Sequence, residues 1–135
     1  METISAGILN NFKDIDESYL DKLLNDEIEK NNKKIVVLDD DPTGVQTVHD
    51  VSVYTDWSKE SIKSGFEEKN KLFYILTNSR GFTIEQTIKA HKEIANTIAE
   101  VGRELNKEYI IISRSDSTLR GHYPLETKLL KKNFI

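Results

Sequence analysis

The sequence predicts an α/β fold: a three-layer, Rossmann-like domain whose mainly parallel sheet is flanked by helices. Three observations predict it. Four short β-rich runs, at 35–38, 51–55, 72–76 and 109–112, are spread along the chain. Amphipathic helical patterns separate them, the order expected of strand–helix–strand units. The first run, Ile35-Val36-Val37-Leu38, is apolar without alternation, as in a strand buried on both faces.

The elements follow in order. Residues 16–30 read as an amphipathic helix with Leu20, Leu23, Leu24 and Ile28 on one side. This leading helical segment, 1–31, is taken as part of a single domain over 1–135. The run at 35–38 ends in acids. Val51–Thr55 alternates and predicts a second strand. Residues 58–69 predict a helix with Ser58 as cap, weakened by Gly65. A third strand spans 72–76. Thr83 and Gln86 then form a capping-box pattern ahead of Ile84, Ile88, Ala95, Ile98, Val101 and Leu105 at near-helical spacing. Residues 109–112 give a fourth strand, and 125–132 a last amphipathic stretch.

Bulk properties exclude several function classes. The 135 residues carry 37% hydrophobic and 31% charged residues, enough for a core and a hydrated surface. Net charge is −4, which gives no footprint for nucleic acid or an anionic membrane. No apolar run approaches the length of a membrane helix. With no cysteine, disulfides, zinc-thiolate sites and thiol nucleophiles are excluded. No secretory leader is visible, and a cytoplasmic location is expected. His49, His91 and His122 lack metal-ligand spacing, and His91 reads as an ordinary helix residue. No metal site is expected.

In open α/β sheets ligands bind beyond the carboxyl ends of the strands. Three strand ends here are unusually polar: Asp39-Asp40-Asp41-Pro42-Thr43-Gly44, Thr77-Asn78-Ser79-Arg80-Gly81, and Ser113 through Gly121. Asp41-Pro42-Thr43-Gly44 fits a type I turn. Three adjacent carboxylates need a cation or donors to neutralise them. Arg80 can present its planar fork to a carboxylate or phosphate, or pair with the acids. In the third segment Arg114 and Arg120 can grip an anion, and Asp116 can accept from a hydroxyl or orient an arginine. Ser117 and Thr118 supply short donors; Gly121 allows a close backbone approach or a positive φ.

Asp116-Ser117-Thr118-Leu119-Arg120-Gly121 resembles the most characteristic motif of the four-carbon acid sugar kinase family. Asp40-Asp41-Pro42-Thr43-Gly44 resembles that family's Asp-Asp-x-Thr-Gly motif, and Ser79-Arg80 its third-strand ending. The resemblance spans roughly 33–130. It implies an N-terminal domain that binds a small sugar acid such as erythronate, threonate or a related keto or branched acid. It also implies phosphorylation of a substrate hydroxyl by ATP with Mg²⁺, held mainly by a C-terminal nucleotide domain. By the matched positions, Asp40, Asp41, Arg80, Asp116, Ser117, Thr118, Arg120 and Gly121 would lie at the substrate. The arginines would hold its carboxylate, and the acids its hydroxyls. The catalytic base is not assigned. Family members are several hundred residues long, so the fold is expected to be incomplete relative to the family. The nucleotide domain is expected to be missing, and these residues alone to be inactive. A homodimer is left open.

Two alternatives stand beside this. Asp39-Asp40-Asp41-Pro42-Thr43 also fits the Asp-x-Asp-x-Thr pattern of haloacid-dehalogenase-type phosphatases. There Asp39 would be the nucleophile, Asp41 the acid/base and Mg²⁺ the bridge. A non-catalytic sugar-acid-binding module is the other.

Overall fold

The computed structural model describes residues 5–12, 16–116 and 120–131. They fall into two units, 1–32 and 33–135. The first holds a 3-10 turn (Ala6–Asn11) and helix α1 (Glu17–Lys30). Asp16 caps α1 by accepting from the Tyr19 amide at 3.2 Å. The apolar side expected at Leu20, Leu23, Leu24 and Ile28 is exposed.

The second unit is a four-stranded, all-parallel sheet with helices. Its elements are β1 (Lys34–Asp39), β2 (Val53–Tyr54), α2 (Lys59–Glu67), β3 (Leu72–Leu76), α3 (Ile84–Glu104), β4 (Tyr109–Arg114) and α4 (Leu125–Lys131). The spatial order is β2-β3-β1-β4. Ile35 to Asp39 pair with Leu72 to Leu76, and Lys34 to Asp39 with Tyr109 to Arg114. The α/β class and the parallel sheet are as the sequence predicts.

Register sorts the strands into two faces. Val36, Leu38, Phe73, Ile75, Tyr54 and Ile111 share one face. There they pack with Ile62 and Phe66 of α2, Ile94, Ala95, Ile98 and Val101 of α3, and Leu130 of α4. Phe66 stands edge-on to both Phe73 and Tyr109. Gly65 fits inside α2 because a Cβ there would come within 2.6 Å of the Phe73 ring.

The steps β2→β3 and β3→β4 run the same way across the sheet, and right-handed crossovers put their helices on the same face. The step β1→β2 runs back, so the same rule carries residues 40–52 to the other face. That face bears Ile35, Val37, Asp39, Tyr74 and Leu76. Gly44 of this connection indeed lies against the Asp39 carboxylate.

The structure revises three details. The second strand shrinks from 51–55 to two residues, because Asp56 turns the chain by accepting from the Ser58 amide at 2.8 Å. The fourth strand runs on to Arg114, since the pairing continues through Ser113 and Arg114 to the end of β1. His91, expected to be an ordinary helix residue, is 2% exposed in α3. Its Nδ1 lies 3.0 Å from the Thr87 carbonyl.

Candidate functional site

β1, β3 and β4 end side by side, so their polar sequels meet at one rim. Asp41-Pro42-Thr43-Gly44 forms the expected turn, with the Gly44 amide donating to the Asp41 carbonyl at 3.1 Å. Asp41 also accepts from the Thr43 amide at 2.7 Å and from the Thr43 hydroxyl. These bonds, with Arg80 and Arg120 nearby, hold its carboxyl below the usual range.

The acid triple is neutralised from two sides. Arg80 grips Asp40 with two nitrogens, Nε to Oδ2 at 3.2 Å and Nη2 to Oδ1 at 3.0 Å, and gives Nη1 to Asp41. Asp40 is 2% exposed, so its charge needs this fork. Its Oδ2 also accepts the Asp116 amide at 3.0 Å, which ties the third segment to the first. Pairing with the acids, chiefly Asp40, raises the Arg80 pKa further.

Asp39 is 1% exposed and paired differently. Its Oδ1 accepts from Arg114 at 3.0 Å and from the Asp41 amide at 3.3 Å. Its Oδ2 is buried without a hydrogen-bond partner. A Cβ on Gly44 would sit 1.5 Å from that oxygen, so only glycine fits there. Beside it, Asp39, Pro42, Val45, Val53 and Leu76 line a mainly apolar hollow of about 220 Å³.

Thr77 and Ser79, both buried, bond each other at 2.9 Å, and Thr77 donates to the Asp39 carbonyl. They shape the turn in which Asn78 takes a left-handed φ of 51°. That turn brings Arg80 back over β1.

In the third segment Arg120 Nε donates to Asp116 at 2.9 Å. The Arg120 side chain stays 66% exposed while Asp116 is 10% exposed. Gly121 crosses the Asp116 backbone closely, since a Cβ there would meet its carbonyl at 1.8 Å. Of the two roles open to Gly121, close approach is the one used. Ser117 and Thr118 lie outside the described residues.

The structure thus gathers Asp40, Asp41, Arg80, Asp116 and Arg120 into one charged cluster. It spends Arg80 on the acids and leaves Arg120 facing outward. Sequence reasoning missed what lies beneath: Glu126, 1% exposed, accepts from Ser115 at 2.6 Å, and Thr87 meets His122 at 2.7 Å. Nothing in the sequence pairs Ser115 with Glu126 or Thr87 with His122, because the burial of Glu126 shows only in the fold.

The phosphatase alternative asks Asp39 to attack phosphorus. Here that carboxylate is sealed beneath Gly44 and Arg114, which removes the geometry for attack. Among the described residues no three His, Asp or Glu side chains form a metal-binding set. Asp40 and Asp41 are already matched by Arg80, so the cluster does not fit a resident Mg²⁺. No helix among the described residues is long and apolar enough to cross a membrane.

An α/β domain with such a rim belongs to the class that binds small polar ligands at its strand ends. Residues 35–135 match the model of the sugar-binding N-terminal domain family, and the chain belongs to that family. The match agrees with the motif resemblance to the N-terminal domain of four-carbon acid sugar kinases. No curated protein and no solved structure gave a match.

Proposed function

We propose that this sugar-binding domain takes a small sugar acid, of the erythronate or threonate kind, and presents one of its hydroxyls for phosphorylation by ATP. The observation that carries the reading is the cluster of Asp40, Asp41, Arg80, Asp116 and Arg120 at the carboxyl ends of β1, β3 and β4. The roles differ from an even sharing among the arginines. Arg120 holds the substrate carboxylate with the guanidinium face that Asp116 leaves open. Asp116 and Asp41 accept from the sugar hydroxyls, and Arg80 fixes the acids in place.

Phosphoryl transfer works by positioning and by neutralising the phosphates, commonly with Mg²⁺. The sequence carries no Gly-x-x-x-x-Gly-Lys-Ser/Thr loop. ATP and Mg²⁺ are therefore assigned to a nucleotide-binding domain outside residues 33–131, and these residues alone bind but do not turn over. Calorimetric titration of the chain with erythronate and threonate, beside a coupled kinase assay, tests this. Binding is expected, and Arg120→Ala should weaken it about tenfold, the worth of one charge-assisted contact. Unchanged affinity in that variant refutes the role of Arg120. Phosphorylation by the chain alone refutes the division of labour.

A further inference from the structure

The segment that carries Asp116 and Arg120 is anchored from below at both ends. At its start, Ser115 Oγ donates to Glu126 Oε2 of α4 at 2.6 Å and shares a second bond with Ser113 Oγ at 3.1 Å. At its end, His122 Nδ1 meets Thr87 Oγ1 of α3 at 2.7 Å, and the His122 carbonyl accepts the Leu125 amide at 2.7 Å. Thr87 and Glu126 are 0% and 1% exposed. Burying a carboxylate is costly, and apolar side chains would pack α4 on α3 without that cost. What Glu126 adds is direction. Its bond fixes Ser115, whose neighbour Asp116 must stand with its amide on Asp40 and its carboxylate on Arg120.

We propose that Glu126 is a positioning residue for the ligand site: through Ser115 it sets the stance of Asp116 and so of Arg120. Glu126 touches no ligand itself. This rests on the sugar-acid reading above only for the ligand, not for the anchor.

The test uses the whole chain with Glu126→Leu, Glu126→Gln and Ser115→Ala. Ser115→Ala removes the same bond from the other end and decides the matter if Glu126→Leu does not fold. Two quantities are read: amide hydrogen exchange at 115–116 and 120–122 against that of β1 and β3, and the affinity for erythronate. Losing the bond should speed exchange at 115–116 and 120–122 about tenfold, leave β1 and β3 unchanged, and weaken erythronate about tenfold. Glu126→Gln, which can still accept from Ser115, should keep both near the parent values. Unchanged exchange at 115–116 and 120–122 overturns the anchor, and faster exchange with unchanged affinity overturns the positioning role. An equal loss in Glu126→Gln and Glu126→Leu overturns the role assigned to the hydrogen bond. Should the parent chain not bind erythronate, the sugar-acid reading fails while the exchange measurement still judges the anchor.

Discussion

Arg80 and Arg120 have the same side chain and opposite surroundings. Arg80 commits all three guanidinium nitrogens to Asp40 and Asp41, whereas Arg120, among the described residues, bonds through Nε alone, to Asp116. Removing Arg80 leaves the buried Asp40 carboxylate without its counter-charge; removing Arg120 takes away a side chain that is itself 66% exposed. Thermal melts should separate them: Arg80→Met should lower the melting temperature clearly more than Arg120→Ala does. Equal shifts would mean that Arg80 is not structural. Gly44 makes a second test. Its alanine variant must push the Asp39 carboxylate or the turn aside, at a cost of about 1–3 kcal/mol by denaturant melts. That the acids needed a cation was legible in the triple itself. Which arginine served which acid was not, because the partners lie 39, 40 and 75 residues apart in sequence.

At the scale of elements, the legible parts were those whose signal is local. β1 and β3 declared themselves as apolar runs, and α3 by its cap: Thr83 accepts from the Gln86 amide at 3.3 Å, while Gln86 returns a bond from the Thr83 amide at 2.8 Å. Thr83→Ala should cost about 1 kcal/mol in a denaturant melt, from the orphaned amide. A loss near zero would mean that packing alone holds the first turn of α3. β2 was overestimated because alternation at 51–55 says nothing of partners. Only Val53 and Tyr54 pair, with Tyr74 and Ile75, before the Asp56 turn. The anchor beneath the site was illegible for a related reason. It joins Thr87 to His122 and Ser115 to Glu126, and neither end has a pattern by itself.

Over the whole sheet-bearing unit, the face packed by α2, α3 and α4 is mainly apolar between two polar ends: Lys34, buried at the start of β1, and the place where α3 and α4 approach the rim and His91, Thr87, His122 and Glu126 meet. Burial pushes the His91 pKa below its ordinary 6.5. The Thr87 carbonyl and the charge of Glu126 oppose that shift, and His122 adds to it. A depressed histidine has a definite sign in linkage. Above 6.5 the ring is neutral in both the folded and unfolded chain, and no stability is lost. As pH falls through 6.5 the unfolded chain takes up a proton that the folded one refuses, so stability declines until the folded pKa is passed. Urea melts from about pH 7.5 to about pH 5.5 should show the parent losing stability. His91→Gln, which can still donate to the Thr87 carbonyl but cannot titrate, should lose less over the same range. Parallel curves would mean that His91 takes up its proton equally well when folded, and that the buried cluster below the rim is open to water.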